Sequence, residues 1–221
     1  MKKKILVTRK LLKENEEKLK ELFDVKLNIH DELYTSEKIL ELSKDCDGIL
    51  SAITDQINKD LVEKLSTKVK IIANFAVGFG NIDINAATKK NIVITNTPEV
   101  LDDSTADISI LLLLGASRKV LEARRAAELQ NWKWSADFML GKQMSNKRLG
   151  ILGMGRIGRA VAKRARGFNM EIHYHNRNQL SKDLEEGAIY HKTVKDLFNC
   201  SDFLSINCPA TKETNKIINK Q

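Results

Sequence analysis

The chain has 221 residues, with 37 lysines and arginines against 29 aspartates and glutamates (net charge +8), 42% hydrophobic residues, 3 cysteines and 2 prolines. This length and apolar fraction suit one large or two small cored domains and exclude disordered and fibrous classes. The longest apolar run, Ile108 to Ala116 with Ser109 inside it, is about half of the roughly 20 residues a membrane-spanning helix needs. Met1 to Thr8 carries too short an apolar stretch for a signal peptide and reads as a first strand of a cytoplasmic protein. Cys46, Cys200 and Cys208 form no CxxC pair and are odd in number, which argues against a disulfide framework or a zinc site and fits ordinary thiols in a reducing compartment. The basic residues are spread along the chain, with modest clusters at Lys2 to Lys4 and at Arg118, Lys119, Arg124 and Arg125. That pattern predicts a solvated surface or an anionic cofactor rather than a nucleic-acid partner.

In chain order, short β-branched runs alternate with helical patterns. Lys4 to Thr8 predicts a strand, Leu11 to Phe23 a helix with Leu12, Leu19, Leu22 and Phe23 at helical spacing, and Val25 to Ile29 a second strand. A helix over Ser36 to Leu42, a strand over Gly48 to Ser51 and a helix over Asn58 to Ser66 follow. Val69 to Phe75 is a strand leading into a glycine turn at Gly78 and Gly80; Ile84 to Lys90 is a helix, and Ile92 to Thr95 a strand ended by Pro98. This alternation implies βαβ crossovers and a parallel sheet covered on both faces. Asp103 or Ser104 then caps a long helix whose stretch Ile108 to Leu114 is too continuously apolar for a surface helix, and so is expected to be buried between domains, between subunits or within a single core. The charged segment Arg118 to Gln130 leads to Trp132 and Trp134, exposed or pocketed aromatics in a loop reaching Asn146.

At Lys147 the βαβ pattern restarts. A strand over Arg148 to Leu152 runs directly into Gly153-Met154-Gly155-Arg156-Ile157-Gly158, and a helix continues over Arg159 to Gly167. Gly153 permits the tight turn, Gly155 lets the backbone approach a pyrophosphate, and Gly158 lets the helix pack closely on the sheet. The helix N-terminus offers N–H groups and a positive dipole end to phosphates. Placed between a strand and a helix, and followed by the strand Met170 to His175, the motif points to dinucleotide binding rather than to a mere glycine-rich turn. NAD selection calls for a carboxylate at the end of that second strand, but the chain reads Tyr174-His175-Asn176-Arg177. Asn176 can bond a ribose hydroxyl and Arg177 supplies a planar cation suited to a phosphate, so NADPH, or both cofactors with a bias to NADPH, is expected over strict NADH. The plainer alternative makes Arg177 a solvated loop cation. His173 and His175 share a strand face, but with no third ligand in view they read as ordinary polar histidines, and no metal is expected.

The blocks Ala76 to Asp83, Ile92 to Pro98, Thr105-Ala106-Asp107, Leu149 to Gly158 and Asn207 to Thr214 together resemble the D-isomer-specific 2-hydroxyacid dehydrogenases, in that family's order and spacing. The strand end Tyr174 to Arg177 resembles glyoxylate and hydroxypyruvate reductases; formate dehydrogenases have a similar stretch with Asp where Asn176 stands. The resemblance implies an α/β fold with parallel sheets: a flavodoxin-like substrate domain over 1–98 and a Rossmann dinucleotide-binding domain over 99–221, incomplete at its C-terminus, with the active site in the cleft and dimerisation through the cofactor domain. It implies that the amides around Val77 and Gly78 bind the substrate carboxylate, a role a glycine turn at a strand end can physically serve; a plain strand-to-helix turn is the alternative. It places Thr105 near the nicotinamide, Arg156 and Ile157 at the pyrophosphate, and Cys208, Pro209 and Thr214 along the cofactor cleft after a strand over Phe203 to Asn207.

The family's chemistry also needs an Arg on the carboxylate and a His, held by a Glu, that protonates the alkoxide. In the family these lie beyond the block ending at Thr214, and residues 215–221 contain none of them, so no catalytic residue is assigned and a C-terminally truncated reductase is expected. The expected activity is hydride transfer between NAD(P)H and a small 2-oxo or D-2-hydroxy acid, glyoxylate or hydroxypyruvate. The rival is a non-catalytic dinucleotide-binding protein of the same fold, acting as a corepressor or partner-binding module.

Overall fold

The structure is a computed structural model and describes residues 1–130 and 133–219. Trp132, read above as a loop aromatic, lies outside these residues. No helix among the described residues is long and apolar enough to cross a membrane. The chain divides into two units, Met1–Val100 and Leu101–Gln221.

In the first unit the elements are β1 (Lys4–Val7), α1 (Lys13–Leu22), β2 (Asp24–Lys26), α2 (Ser36–Ser43), β3 (Gly48–Ala52), α3 (Lys59–Lys64), β4 (Ile71–Phe75), α4 (Ile84–Lys89) and β5 (Val93–Thr95). All pairings are parallel and the order is β2-β1-β3-β4-β5, the flavodoxin-like arrangement. Thr35, Asn58 and Asp83 cap three of the helices by accepting the N–H groups of Lys38, Leu61 and Ala86. The apolar sides of strands and helices meet in one core around Leu6, Ile39, Ile49, Leu61 and Ile72.

The strand expected over Val25 to Ile29 stops at Lys26. The reason is Asn28, whose buried side chain donates to the Thr8 and Glu32 carbonyls and accepts the Glu32 N–H, turning the chain out of the sheet.

The second unit contains α5 (Asp102–Ser117), α6 (Val120–Glu128), β6 (Arg148–Leu152), α7 (Arg156–Arg166), β7 (Glu171–His175), α8 (Lys182–Glu185), β8 (Ile189–Tyr190), α9 (Val194–Cys200) and β9 (Phe203–Ile206). Its parallel sheet runs β8-β7-β6-β9, which is the 3-2-1-4 half of a Rossmann sheet. α5 packs along α7, helped by Arg164, which reaches both Asp103 and Asp107. Within the single chain the apolar stretch of α5 is buried on one face only. Ala106, Ile110 and Leu113 are buried, while Ile108, Leu111 and Leu112 are 54%, 61% and 66% exposed, because a helix in contact on one side can bury only the residues spaced three and four apart on that side. Trp134 is exposed.

Two polar anchors hold the sheet. Tyr174, fully buried on β7, donates from its hydroxyl to Glu185 at 2.7 Å and accepts the Leu180 N–H at 3.0 Å, fixing the segment that follows the strand. Burial and the Glu185 carboxylate push its pKa up to about 12. At the other end of the sheet Asp202 accepts the backbone N–H and the guanidinium of Arg148, joining β6 to the start of β9. Tyr174→Phe, read by denaturant unfolding, is expected to cost about 1–2 kcal/mol, since it takes the hydroxyl donor from the buried Glu185 carboxylate and the acceptor from the Leu180 N–H. Arg148 holds the Asp202 carboxyl down at about 2 against an ordinary 3.8. Its stabilisation is therefore complete above pH 4 and is lost as pH falls from about 4 to 2, so the thermal midpoint of Asp202→Asn should depend less steeply on pH across that window than the wild type.

Candidate functional site

β6 lies between β7 and β9, so the chain leaves it at the point where strand order reverses, and a crevice opens beyond the strand ends. A cavity of ≈ 550 Å³ sits there, within the size range of small-molecule sites. Three loops form its walls: Leu152 to Gly155 after β6, His175 to Leu180 after β7, and Asn207 to Thr214 after β9.

The glycines of the motif have separable reasons to be glycine. Gly153 has φ +94°, a left-handed conformation, and a Cβ there would stand 2.5 Å from the Cys208 backbone nitrogen. A Cβ on Gly158 would collide with the Gly153 carbonyl oxygen. Gly155 is different, because a Cβ there meets nothing within 4 Å and would project into free space. The helix also begins earlier than the expected Arg159. α7 starts at Arg156 with Gly155 as its N-cap, so the first-turn N–H groups, which have no intrahelical acceptor, belong to the motif itself.

Opposite this loop, Asn176 accepts the Met154 N–H on its side-chain oxygen at 2.6 Å, tying the end of β7 to the glycine turn. Arg177 is exposed at the cavity wall. The third wall is braced internally: Thr214 Oγ1 accepts the Thr211 N–H at 2.8 Å and donates to the Pro209 carbonyl at 2.7 Å. Glu213 also lines the cavity, and Thr211, its own backbone N–H and the Arg177 charge hold its carboxyl below the ordinary range. A positive helix end, a glycine with no side chain in the way, and paired polar groups beside a cation together fit a dinucleotide.

Seven of the residues proposed from sequence for the cofactor, Gly153, Gly155, Asn176, Arg177, Cys208, Pro209 and Thr214, line this one cavity. The other four do not. Gly158 packs beneath Gly153, and Ile157 packs on the core. Arg156 extends to within 3.5 Å of Asp102, and Thr105 sits on α5, its carbonyl taken by Ser109. The early start of α7 explains the first three: Arg156, Ile157 and Gly158 are helical, and their side chains follow the helix surface while only their N–H groups face the helix end.

In the first unit, the segment after β4 is held from behind. Thr97 donates to the Ala76 carbonyl, Asn96 to that of Val77 at 2.8 Å, and the buried Asn74 to that of Gly78 at 2.9 Å. Asn74 in turn accepts from Ser51, and Asn81 bonds the Ala52 and Asp55 carbonyls beside it. With these carbonyls engaged, the Val77 and Gly78 N–H groups have no acceptor among the described residues. This is an arrangement suited to a small anion. The asparagines were missed from sequence because amides spread over residues 74 to 96 carry no spacing signal. Glu213 was missed because only the fold carries it back to Arg177.

Gly155→Ala is expected to unfold at the same denaturant concentration as the wild type but to lose at least tenfold in dinucleotide affinity, whereas Gly158→Ala should lose stability. Calorimetric titration beside an unfolding curve separates the two.

Comparison with known proteins agrees with this geometry. The sequence pattern of the family described as D-isomer specific 2-hydroxyacid dehydrogenase, NAD binding domain, matches residues 110–221. The chain is 37% identical over 226 residues to a glyoxylate reductase of Pyrococcus horikoshii and 40% identical over 224 residues to one of Korarchaeum cryptofilum, covering 100% of this chain and 67% of each of those proteins. It also superposes with a TM-score of 0.85, at 30% identity, on an NADPH-dependent glyoxylate/hydroxypyruvate reductase from Sinorhizobium meliloti solved with NADP and malonate, over 99% of this chain and 66% of that one. A chain so matched along its whole length belongs to the D-isomer specific 2-hydroxyacid dehydrogenases, NAD(P)-dependent oxidoreductases of hydroxy acids.

Proposed function

We propose that this chain binds NADPH in preference to NADH and serves the reduction of a small 2-oxo acid, glyoxylate or hydroxypyruvate. The observation that carries the reading is the cavity at the ends of β6, β7 and β9, with Gly155 and the start of α7 at one wall and Arg177 at another. Bound there, the dinucleotide supplies the hydride. The first-turn N–H groups of α7 take its pyrophosphate, Asn176 faces the ribose through its side-chain amide, and Arg177 faces a 2′-phosphate. Cys208, Pro209 and Thr214 close the opposite wall, and Thr105 borders the nicotinamide end. Residues 1–98 act as the substrate domain, where the Val77 and Gly78 N–H groups hold the substrate carboxylate, supported by the carbonyl anchoring on Asn74, Asn96 and Thr97. The roles proposed for this chain are binding roles, and a homodimer is proposed on the exposed apolar face of α5.

The names of the related glyoxylate reductases support the substrate class. A small acid suits a site made of two backbone N–H groups, which recognise a carboxylate without demanding a long side chain. Calorimetric titration is expected to show NADPH binding more tightly than NADH, with Arg177→Ala weakening NADPH about tenfold and leaving NADH unchanged, in line with about 1.4 kcal/mol for one charge-assisted contact. Glu213→Gln, which removes a like charge beside the phosphate, should tighten NADPH. Tighter binding of NADH by the wild type would overturn the role given to Arg177. Tighter binding of a bulky 2-oxo acid than of glyoxylate, read by the same titration, would overturn the substrate assignment.

A further inference from the structure

Away from the glycine loop, the sheet of the second unit gathers three side chains that the dinucleotide reading does not use. His173 is on β7 and only 6% exposed. His191 follows β8 and is held in place by its N–H on the Tyr174 carbonyl at 2.8 Å. Cys200 is the last residue of α9, which packs on β6 and β7. Nδ1 of His173 lies 2.9 Å from Nε2 of His191, and that same Nε2 lies 3.4 Å from the Cys200 sulfur. One ligand atom from each residue falls within 4.8 Å of the others.

We propose that His173, His191 and Cys200 form a binding site for a divalent cation of the zinc type, with a fourth position open to water or an outside ligand.

Two imidazole nitrogens and a thiolate are a borderline-soft donor set that selects zinc-like ions over calcium or magnesium. Tetrahedral coordination at ordinary bond lengths sets nitrogens about 3.3 Å apart and nitrogen from sulfur about 3.6 Å. The observed 2.9 and 3.4 Å therefore need to open by only a few tenths of an ångström, while the third edge, His173 to Cys200, which lies within 4.8 Å, closes toward the same spacing of about 3.6 Å; rotation of the half-buried His191 and Cys200 side chains supplies both. Hydrogen bonding accounts for part of the cluster, since the Cys200 thiol reaches the Leu197 carbonyl at 3.1 Å, but His191 Nε2 has one proton or one lone pair for its two neighbours.

The other ring nitrogen points the same way. His173 Nε2 is buried without a hydrogen-bond partner, although Glu171 Oε1 stands 3.1 Å away. A cation on Nδ1 fixes the proton on Nε2, where it faces that carboxylate, the arrangement that commonly orients a metal-bound histidine. On binding, Cys200 gives up its thiol proton to solvent and becomes the anionic ligand.

Titration with Zn²⁺ against a competing chelator is expected to give one ion per chain. Cobalt in its place should show a thiolate-to-metal charge-transfer band that Cys200→Ser abolishes. Glu171→Gln should weaken Zn²⁺ roughly tenfold. In the wild type, where no variant needs to fold, Zn²⁺ should slow alkylation of Cys200 and leave Cys208 unaffected. Absence of stoichiometric binding, affinity within twofold of the wild type in the His191→Ala, Cys200→Ser double variant, or equal protection of Cys208 would overturn the site.

Discussion

The second unit depends on one backbone contact, the approach of Gly153 to the peptide of Cys208. Gly153 turns the chain at φ +94° where β6 ends, close enough to the chain leaving β9 that no side chain fits between them. Gly158 then closes on the Gly153 carbonyl from the helix side. Strand, turn, helix and neighbouring strand are locked together through atoms of the main chain, and the direction of α7 follows. A helix aimed by side-chain packing alone could tilt with each substitution; one seated on glycine backbone cannot come closer, and drawing away would give up its contacts. The positive end of α7 is thereby pointed at the cavity.

In both units side chains engage one sign of the backbone dipole beside the candidate site. In the cavity, the Asn176 side-chain oxygen consumes the Met154 N–H, and Thr214 consumes groups on its own turn, beside a helix start whose first-turn N–H groups have no intrahelical acceptor. After β4, three donors occupy three successive carbonyls, so the remaining polar groups of the turn are N–H. Engaging one sign of dipole leaves the other to act, and the buried Asn74 that does so after β4 is costly to disturb because an unpaired polar group in a core has no water to turn to. The net charge of +8 contributes less than this local ordering, since exposed charges are screened over about 10 Å in ordinary salt.

Much of the fold was legible from alternation. The strands at β1, β3, β4 and β6 and the strand–GMGRIG–helix unit announce themselves because parallel strands buried on both faces need apolar runs, and a tight strand-to-helix turn of this kind needs glycines at set spacing, after which β7 follows by position. Short elements were less visible. β8 has two residues, and α8 has four, too few for any period to show. β2 ended early because Asn28 found backbone partners on the Thr8 and Glu32 loops, contacts that no local propensity encodes. Which face of the α5 stretch packs within the chain was decided by α7 lying along one side, a partner that the continuous apolar run does not name.

The sequence by itself determined the α/β class, the family, the glycine turn and the neighbourhood of Val77 and Gly78, because each rests on residues adjacent in the chain or at a fixed local period. Tertiary structure alone decided which residues share a site. It carried Cys208 to Thr214 across to Asn176 and Arg177, set Glu213 beside that arginine, turned the side chains of Arg156 and Ile157 away from the cavity, and brought His191 and Cys200 to His173. The physical reason is strand order: β9 lies beside β6 and β8 beside β7, so residues dozens of positions apart become neighbours through hydrogen bonds of a sheet whose order no single segment specifies.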